Sequence, residues 1–203
     1  LYPIYWISVL ITFFVILLFG APRYTAEFKQ FILNLSMFQN YIGVESIDGV
    51  YWTLFIEMKF YVFVISSYLI LNKLKEIKLD YLIYAWLSLS ILHIYLNKLF
   101  IFKVANFFFI LDWSSYFIAG IIFYQIYRSK ISIKYSILLS ISFIISIYHA
   151  ISRIEGLELH YNTVFSPFVI SSFIMLFYFL MLLVSCDKLN KINSSKLTKF
   201  GML

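Results

Sequence analysis

The chain has 203 residues, 63% of them hydrophobic and 13% charged, with mean hydropathy +0.90 and a formal net charge of +6. Water-soluble domains are about 45–50% apolar and about 25% charged, so the composition excludes an ordinary soluble fold and implies a polytopic membrane protein. Its basic residues sit in short stretches between apolar runs, where they set topology and indicate no nucleic-acid partner; the single Cys186 excludes an internal disulfide and a multi-cysteine metal site.

Tyr2–Gly20 is the first predicted span and carries no charge. It does not read as a signal peptide, because it lacks a basic leading stretch and a small-residue cleavage site. A long connection follows, with Arg23 and the apolar stretch Phe31–Phe38. That stretch is too short to cross and is expected to lie in the interface or to dip in and return. After Glu45 and Asp48 comes a second span, Tyr51–Leu71, holding Glu57 and Lys59. Asn72–Asp80 reads as a Lys-rich turn and Tyr81–Leu96 as the third span. The fourth lies within Val104–Tyr127, where Asp112 is either a helix N-cap or a buried carboxylate. Ile133–Ala150 is the fifth span. A loop over Arg153–Asn162, a sixth span over Thr163–Ser185 and a basic tail complete the chain. The expected fold is an all-α bundle of about six spanning helices, forming one membrane domain over residues 1–203.

Basic residues divide unequally between alternate loops. The loops after spans two, four and six hold ten (Lys73, Lys75, Lys78; Arg128, Lys130, Lys134; Lys188, Lys191, Lys196, Lys199), and the others hold five (Arg23, Lys29, Lys98, Lys103, Arg153). The richer side is cytoplasmic by the positive-inside rule. The Glu45/Asp48 and Glu155/Glu158 stretches then face outside.

Glu57 stands out because a carboxylate inside a span costs roughly 2.5–3.5 kcal/mol even on lenient insertion scales. It lies about 9 Å from the outer start of its span at 1.5 Å per residue. Thr53, Glu57 and Tyr61 recur every four residues and share one helix face. They line a polar pocket, or Glu57 is a structural carboxylate, protonated or paired to another helix. Trp52 beside them fits an interfacial belt or a stacking surface. Lys59 points elsewhere. His93, His149 and His160 all fall on the outer side, as general-base candidates or as hydrogen-bonded structure. None has metal-ligand spacing, and no Gly-rich phosphate loop is present.

The second span reads Asp48-Gly49-Val50-Tyr51-Trp52-Thr53-Leu54-x-x-Glu57-x-x-Phe60-Tyr61. This resembles the signature of the acyltransferase-3 family of integral membrane acyltransferases. Pro3-x-Tyr5-Trp6 and Tyr116-Phe117-x-x-Gly120 are similar to further family elements. The resemblance implies an enzyme of some ten helices, of which this chain is the central portion. The family's catalytic His and Arg-rich turn would precede Leu1, and its late helices would follow Leu203. It implies transfer of an acyl group, often acetyl, from cytoplasmic acetyl-CoA or another acyl-CoA, without a metal. The acceptor would be a hydroxyl of an extracytoplasmic polysaccharide or other glycan, and the setting a bacterial inner membrane. Glu57 would be catalytic, as base or as orienter, with Trp52, Thr53 and Tyr61 binding substrate; Thr53 replaces the commoner Ser and keeps the hydroxyl. An envelope-glycan transporter, flippase or polymerase would also use intramembrane carboxylates, and an inactive membrane protein is the third class. The orientation predicts that a cysteine at position 157 is labelled by an impermeant thiol reagent from outside and one at position 74 is not. The reverse pattern would overturn it.

Overall fold

The structure, a computed structural model, describes residues 2–20, 27–74 and 79–186. Among them every regular element is helical. Five helices are long and apolar enough to cross a membrane. They are α1 (Tyr2–Phe19), α3 (Trp52–Leu74), α4 (Leu79–Leu96), α7 (Ile133–Ser152) and α9 (Pro167–Ser185). A sixth crossing arises if α5 (Phe100–Phe109) and α6 (Ser114–Ser129), bent by 42° at the break between them, count as one span. The short α2 (Phe28–Asn34), a 3-10 turn at Gln39–Ile42 and α8 (Ile154–Tyr161) complete the described helices.

Several boundaries differ from the sequence reading. The expected Arg153–Asn162 loop is largely helix α8, so the span that begins at Ile133 continues to Leu159. The last helix starts at Pro167 rather than Thr163, because proline at the first helical position needs no amide partner. Part of the Lys-rich turn, with Lys75 and Lys78, and the tail after Cys186 lie outside the described residues. So does Arg23.

The chain divides into two compact units, Leu1–Lys73 and Leu74–Leu203. In the first, the segment after α1 returns alongside it. Phe31 of α2 packs on Phe13, with ring centroids 4.7 Å apart. Three side chains from the opening turns of α1 then donate to consecutive carbonyls at the end of α2: Tyr5 to Asn34, Trp6 to Leu35 (3.0 Å) and Tyr2 to Ser36 (3.3 Å). These are carbonyls that the end of a helix leaves without intrahelical partners. The apolar stretch thus packs back against α1. Asn34, fully buried, organises the connection. Its amide donates to the Gln30 carbonyl (2.8 Å) and the Glu45 carbonyl (3.1 Å), and its oxygen accepts the Ile47 amide (3.0 Å). The chain then reaches Tyr51, whose hydroxyl lies 2.9 Å from that of Thr12, and enters α3. Burial pushes the Tyr51 phenol above its usual range, so it stays neutral.

The second unit is built on α4, α6, α7 and α9. Serines mark its helix crossings. Ser90 of α4 meets Ser114 of α6 at 2.5 Å. Ser142 of α7 donates to the Ser115 carbonyl of α6 (2.6 Å), and Ser146 to the Ser115 hydroxyl (3.0 Å). The Tyr178 hydroxyl of α9 joins Ser146 at 2.8 Å. Small hydroxylated residues let helices approach closely and satisfy one another where lipid offers no hydrogen bonds. Ala119, Phe123 and Tyr178 form the apolar cluster beside them. At one end, Lys134 of α7 pairs with Asp80 of α4 at 2.6 Å.

Asn34→Leu is expected to destabilise the protein by about 1–3 kcal/mol, the cost of leaving buried polar groups unpaired. The buried Ile47 amide loses its acceptor. Denaturant unfolding of purified protein in detergent measures this; an unchanged midpoint would show that the connection is not held by Asn34.

Candidate functional site

Two regions carry the polar chemistry, one in each unit. The first is the face of α3 that bears the motif. The helix is continuous from Trp52 onward, so Thr53, Glu57 and Tyr61 fall on successive turns of one face as their spacing requires. The Thr53 hydroxyl donates to the Val50 carbonyl at 2.8 Å and secures the helix start. Trp52 is 36% exposed and Tyr61 50% exposed, with the Tyr61 ring 6.0 Å from that of Phe60. Glu57 is half-buried, and its carboxylate makes no hydrogen bond or ion pair with any described residue. Lys59, two positions on, is engaged elsewhere. Its ammonium lies 3.3 Å from the Tyr41 hydroxyl and 5.3 Å from the centre of the Phe55 ring. The ion pair within the helix is therefore absent, as the two-residue spacing predicts.

The second region surrounds the break between α5 and α6. Asp112 sits in it and does not cap α6: the cap position is Trp113, without a side-chain cap bond. Asp112 is thus neither an N-cap nor a fully buried carboxylate: its side chain is 35% exposed and is held by several partners. One oxygen lies 3.1 Å from Nε2 of His93 on α4. The other accepts from the Asn106 amide at 2.8 Å and lies 3.5 Å from the Arg153 guanidinium. Asn106 also accepts the Asp112 backbone amide at 3.0 Å, which closes a two-point clamp. The guanidinium of Arg153 lies over the Trp113 ring, 4.0 Å from its centre, a cation–π arrangement. The Trp86 indole donates to the Phe109 carbonyl at 2.7 Å, supporting the end of α5.

His93 is buried, with its side chain 7% exposed, while Asp112 is 35% exposed. Nδ1 of His93 is buried without a hydrogen-bond partner, and so is Nε2 of His149 on α7. His160 falls outside the residues whose side chains are described. Among the described residues no group of three or more His, Cys, Asp or Glu is arranged to hold a metal ion.

The sequence places His93, Asp112 and Arg153 toward one side but does not join them, and it does not single out Asn106. The only signal is that a carboxylate, a histidine and an arginine all fall near the outer ends of predicted spans. Asn106 gives none, because inside the fourth predicted span its spacing to Asp112 corresponds to no regular helical contact.

Fold and site together define a polytopic helical membrane protein. No family model, curated protein or solved structure matches the chain.

Proposed function

We propose that this protein is a membrane O-acyltransferase that moves an acyl group, in the first instance acetyl, from a cytoplasmic thioester donor such as acetyl-CoA to a hydroxyl of an extracytoplasmic glycan. The observation that carries the reading is Glu57. A half-buried carboxylate in a membrane-spanning helix without a described partner is a standing cost, and such a group is retained for what it does to a ligand. Its neighbours suit a sugar or an acyl chain. Trp52 and Tyr61 offer partly exposed aromatic faces, and Thr53, whose proton goes to the Val50 carbonyl, offers its hydroxyl oxygen as an acceptor one turn away. Glu57 is the catalytic group of this reading, as base or orienter, and Trp52, Thr53 and Tyr61 bind substrate. The likeness of this stretch to the acyltransferase-3 signature supports the same assignment, as does the placement of α3 in an integral membrane bundle.

One observation favours a second reading, an envelope-glycan transporter. The break between α5 and α6 places irregular backbone and charged side chains within a candidate span, and such breaks frequently line substrate paths. The two readings differ in whether a thioester is consumed.

Glu57→Gln keeps shape and removes charge. Ester-linked acetyl on purified envelope polysaccharide, normalised to protein abundance, is expected to fall at least tenfold, equivalent to about 1.4 kcal/mol of transition-state stabilisation. Abundance in the membrane should hold, because a neutral amide is cheaper to bury than a carboxylate. Ser66→Ala, exposed farther along α3, is the control and should retain wild-type acetylation. Equal acetylation in wild type and Glu57→Gln would remove the enzymatic assignment of this helix.

A further inference from the structure

In the first unit, α3 does not start where a simple hairpin would put it. A chain that follows α1 from Tyr2 to Phe19, turns, and comes back as α3 would set Trp52 next to Phe19. Instead the Tyr51 ring lies 5.3 Å from the Tyr5 ring, and the Met58 sulfur lies 3.7 Å from the Tyr2 hydroxyl. The Tyr51 hydroxyl reaches Thr12 at 2.9 Å. The opening of α3 therefore stands against roughly the first three turns of α1, at 3.6 residues per turn.

The segment between them accounts for this. Phe31 of α2 lies beside Phe13, and by residues 34–36 the chain has come to Tyr2, Tyr5 and Trp6. From Phe13 back to Tyr2 is about 16 Å at 1.5 Å per residue, more than half of α1. Side chains lean toward the N-terminus of their helix, so the carbonyls that Tyr2 and Tyr5 reach lie level with the start of α1. Between α2 and α3 the backbone is irregular apart from the 3-10 turn Gln39–Ile42. It carries an exposed Glu45 and a half-buried Asp48. Irregular backbone and carboxylates are not tolerated against lipid hydrocarbon, so this end of the unit lies at a membrane surface. Trp6, Tyr41 and Trp52 gather at the same end with exposed rings, as aromatic residues do at the membrane–water interface.

The charges decide which surface it is. Helix α3 ends on Lys73, and Lys75 and Lys78 follow in the sequence. Basic residues mark the cytoplasmic side, so α3 starts outside. We propose that α1 crosses the membrane from outside to inside and that the chain returns to the outer surface through α2, so that α1 and α3 both start outside. Simple alternation of spans gives α1 the opposite direction. The reversal carries Arg23 and Lys29 to the cytoplasmic side, where twelve of the fifteen loop cations then stand. The charge rule is thus met better with the return than without it. Glu57, the neighbour of Met58, comes to stand level with the start of α1, near the outer surface. In the acyltransferase reading above, a glycan acceptor meets this face directly from outside. Helix α3 continues about 24 Å beyond Met58 at 1.5 Å per residue, so a cytoplasmic thioester has that length to travel. The direction of α1 itself does not depend on that reading.

The test reads membrane sides on the full chain in intact cells, with Cys186→Ser removing the native thiol. Lys29→Cys and Glu45→Cys, both at exposed positions, are treated singly with a membrane-impermeant maleimide before and after permeabilisation. Glu45→Cys should react in intact cells, and Lys29→Cys only once the membrane is opened. Reaction of Lys29→Cys in intact cells would overturn the proposal, and so would a Glu45→Cys that reacts only after opening. An epitope inserted after Arg23 gives a reading that does not depend on thiol reactivity. Antibody should reach it only in permeabilised cells; binding to intact cells would sink the proposed direction of α1. Neither measurement needs catalysis. Sides as expected in cells whose glycan carries no ester-linked acetyl would remove the acyltransferase reading alone. Reversed sides with acetylation intact would remove this proposal alone.

Discussion

A backbone carbonyl or amide placed in hydrocarbon has no water to bond to, and leaving it unpaired costs several kcal/mol. Long helices meet this constraint internally. Among the described residues, the same solution recurs at the end of α2 and at the α5–α6 break: side chains are brought in to complete the backbone. At the end of α2, Tyr2, Tyr5 and Trp6 supply donors to carbonyls 34–36, and Asn34 serves both Glu45 and Ile47. At the α5–α6 break, Trp86 serves the Phe109 carbonyl, Asn106 serves the Asp112 amide and Ser114 serves the Leu111 carbonyl. The aromatic richness of the chain is thus partly structural, because Tyr and Trp combine a large apolar body with one donor at the tip.

The magnitudes separate the polar groups into two kinds. Serine contacts between membrane helices average about 0.6 kcal/mol in measured cases, so the Ser115–Ser142–Ser146–Tyr178 group specifies how α6, α7 and α9 meet more than it stabilises them. A charged group loses far more hydration on burial, and it regains that loss only through close partners. Asp112, whose side chain is 35% exposed, keeps part of its hydration and has Asn106, His93 and Arg153 around the rest. Glu57 is the contrast, a carboxylate without such attendants among the described residues.

Helix number and placement are legible in the sequence because hydropathy over some 18 residues is a strong signal for a span and these runs are long and nearly uncharged. Thr53, Glu57 and Tyr61 are legible as one face for a related reason: within a continuous helix, spacing fixes direction. What is not legible depends on contacts between elements. Asp112 has two readings, as an N-cap or as a buried carboxylate, and the structure bears out neither in full: the carboxylate is partly exposed and is held by Asn106, His93 and Arg153, which no spacing announces. The return of residues 28–51 along α1 is equally hidden, since its key residue, Asn34, lies in a stretch that reads merely as too short to cross. Helix α8 has the sequence character of a loop, because charge density near Arg153, Glu155 and Glu158 suggests solvent, whereas helix resumes at Ile154 after the single turn residue Arg153.

The placement of the ion pairs in the second unit constrains how it can deform. Helices α4 and α7 are tied near their first residues by Asp80 and Lys134, and near their last by His93 and Arg153 through the shared carboxylate of Asp112. Sliding one helix against the other by a turn, about 5.4 Å, would rupture both ties together. Such a slide therefore carries the loss of both ties as its cost. Helix α5 is fastened to the same Asp112 at two points through Asn106, so a displacement at this end of either helix is passed on to α5 as well.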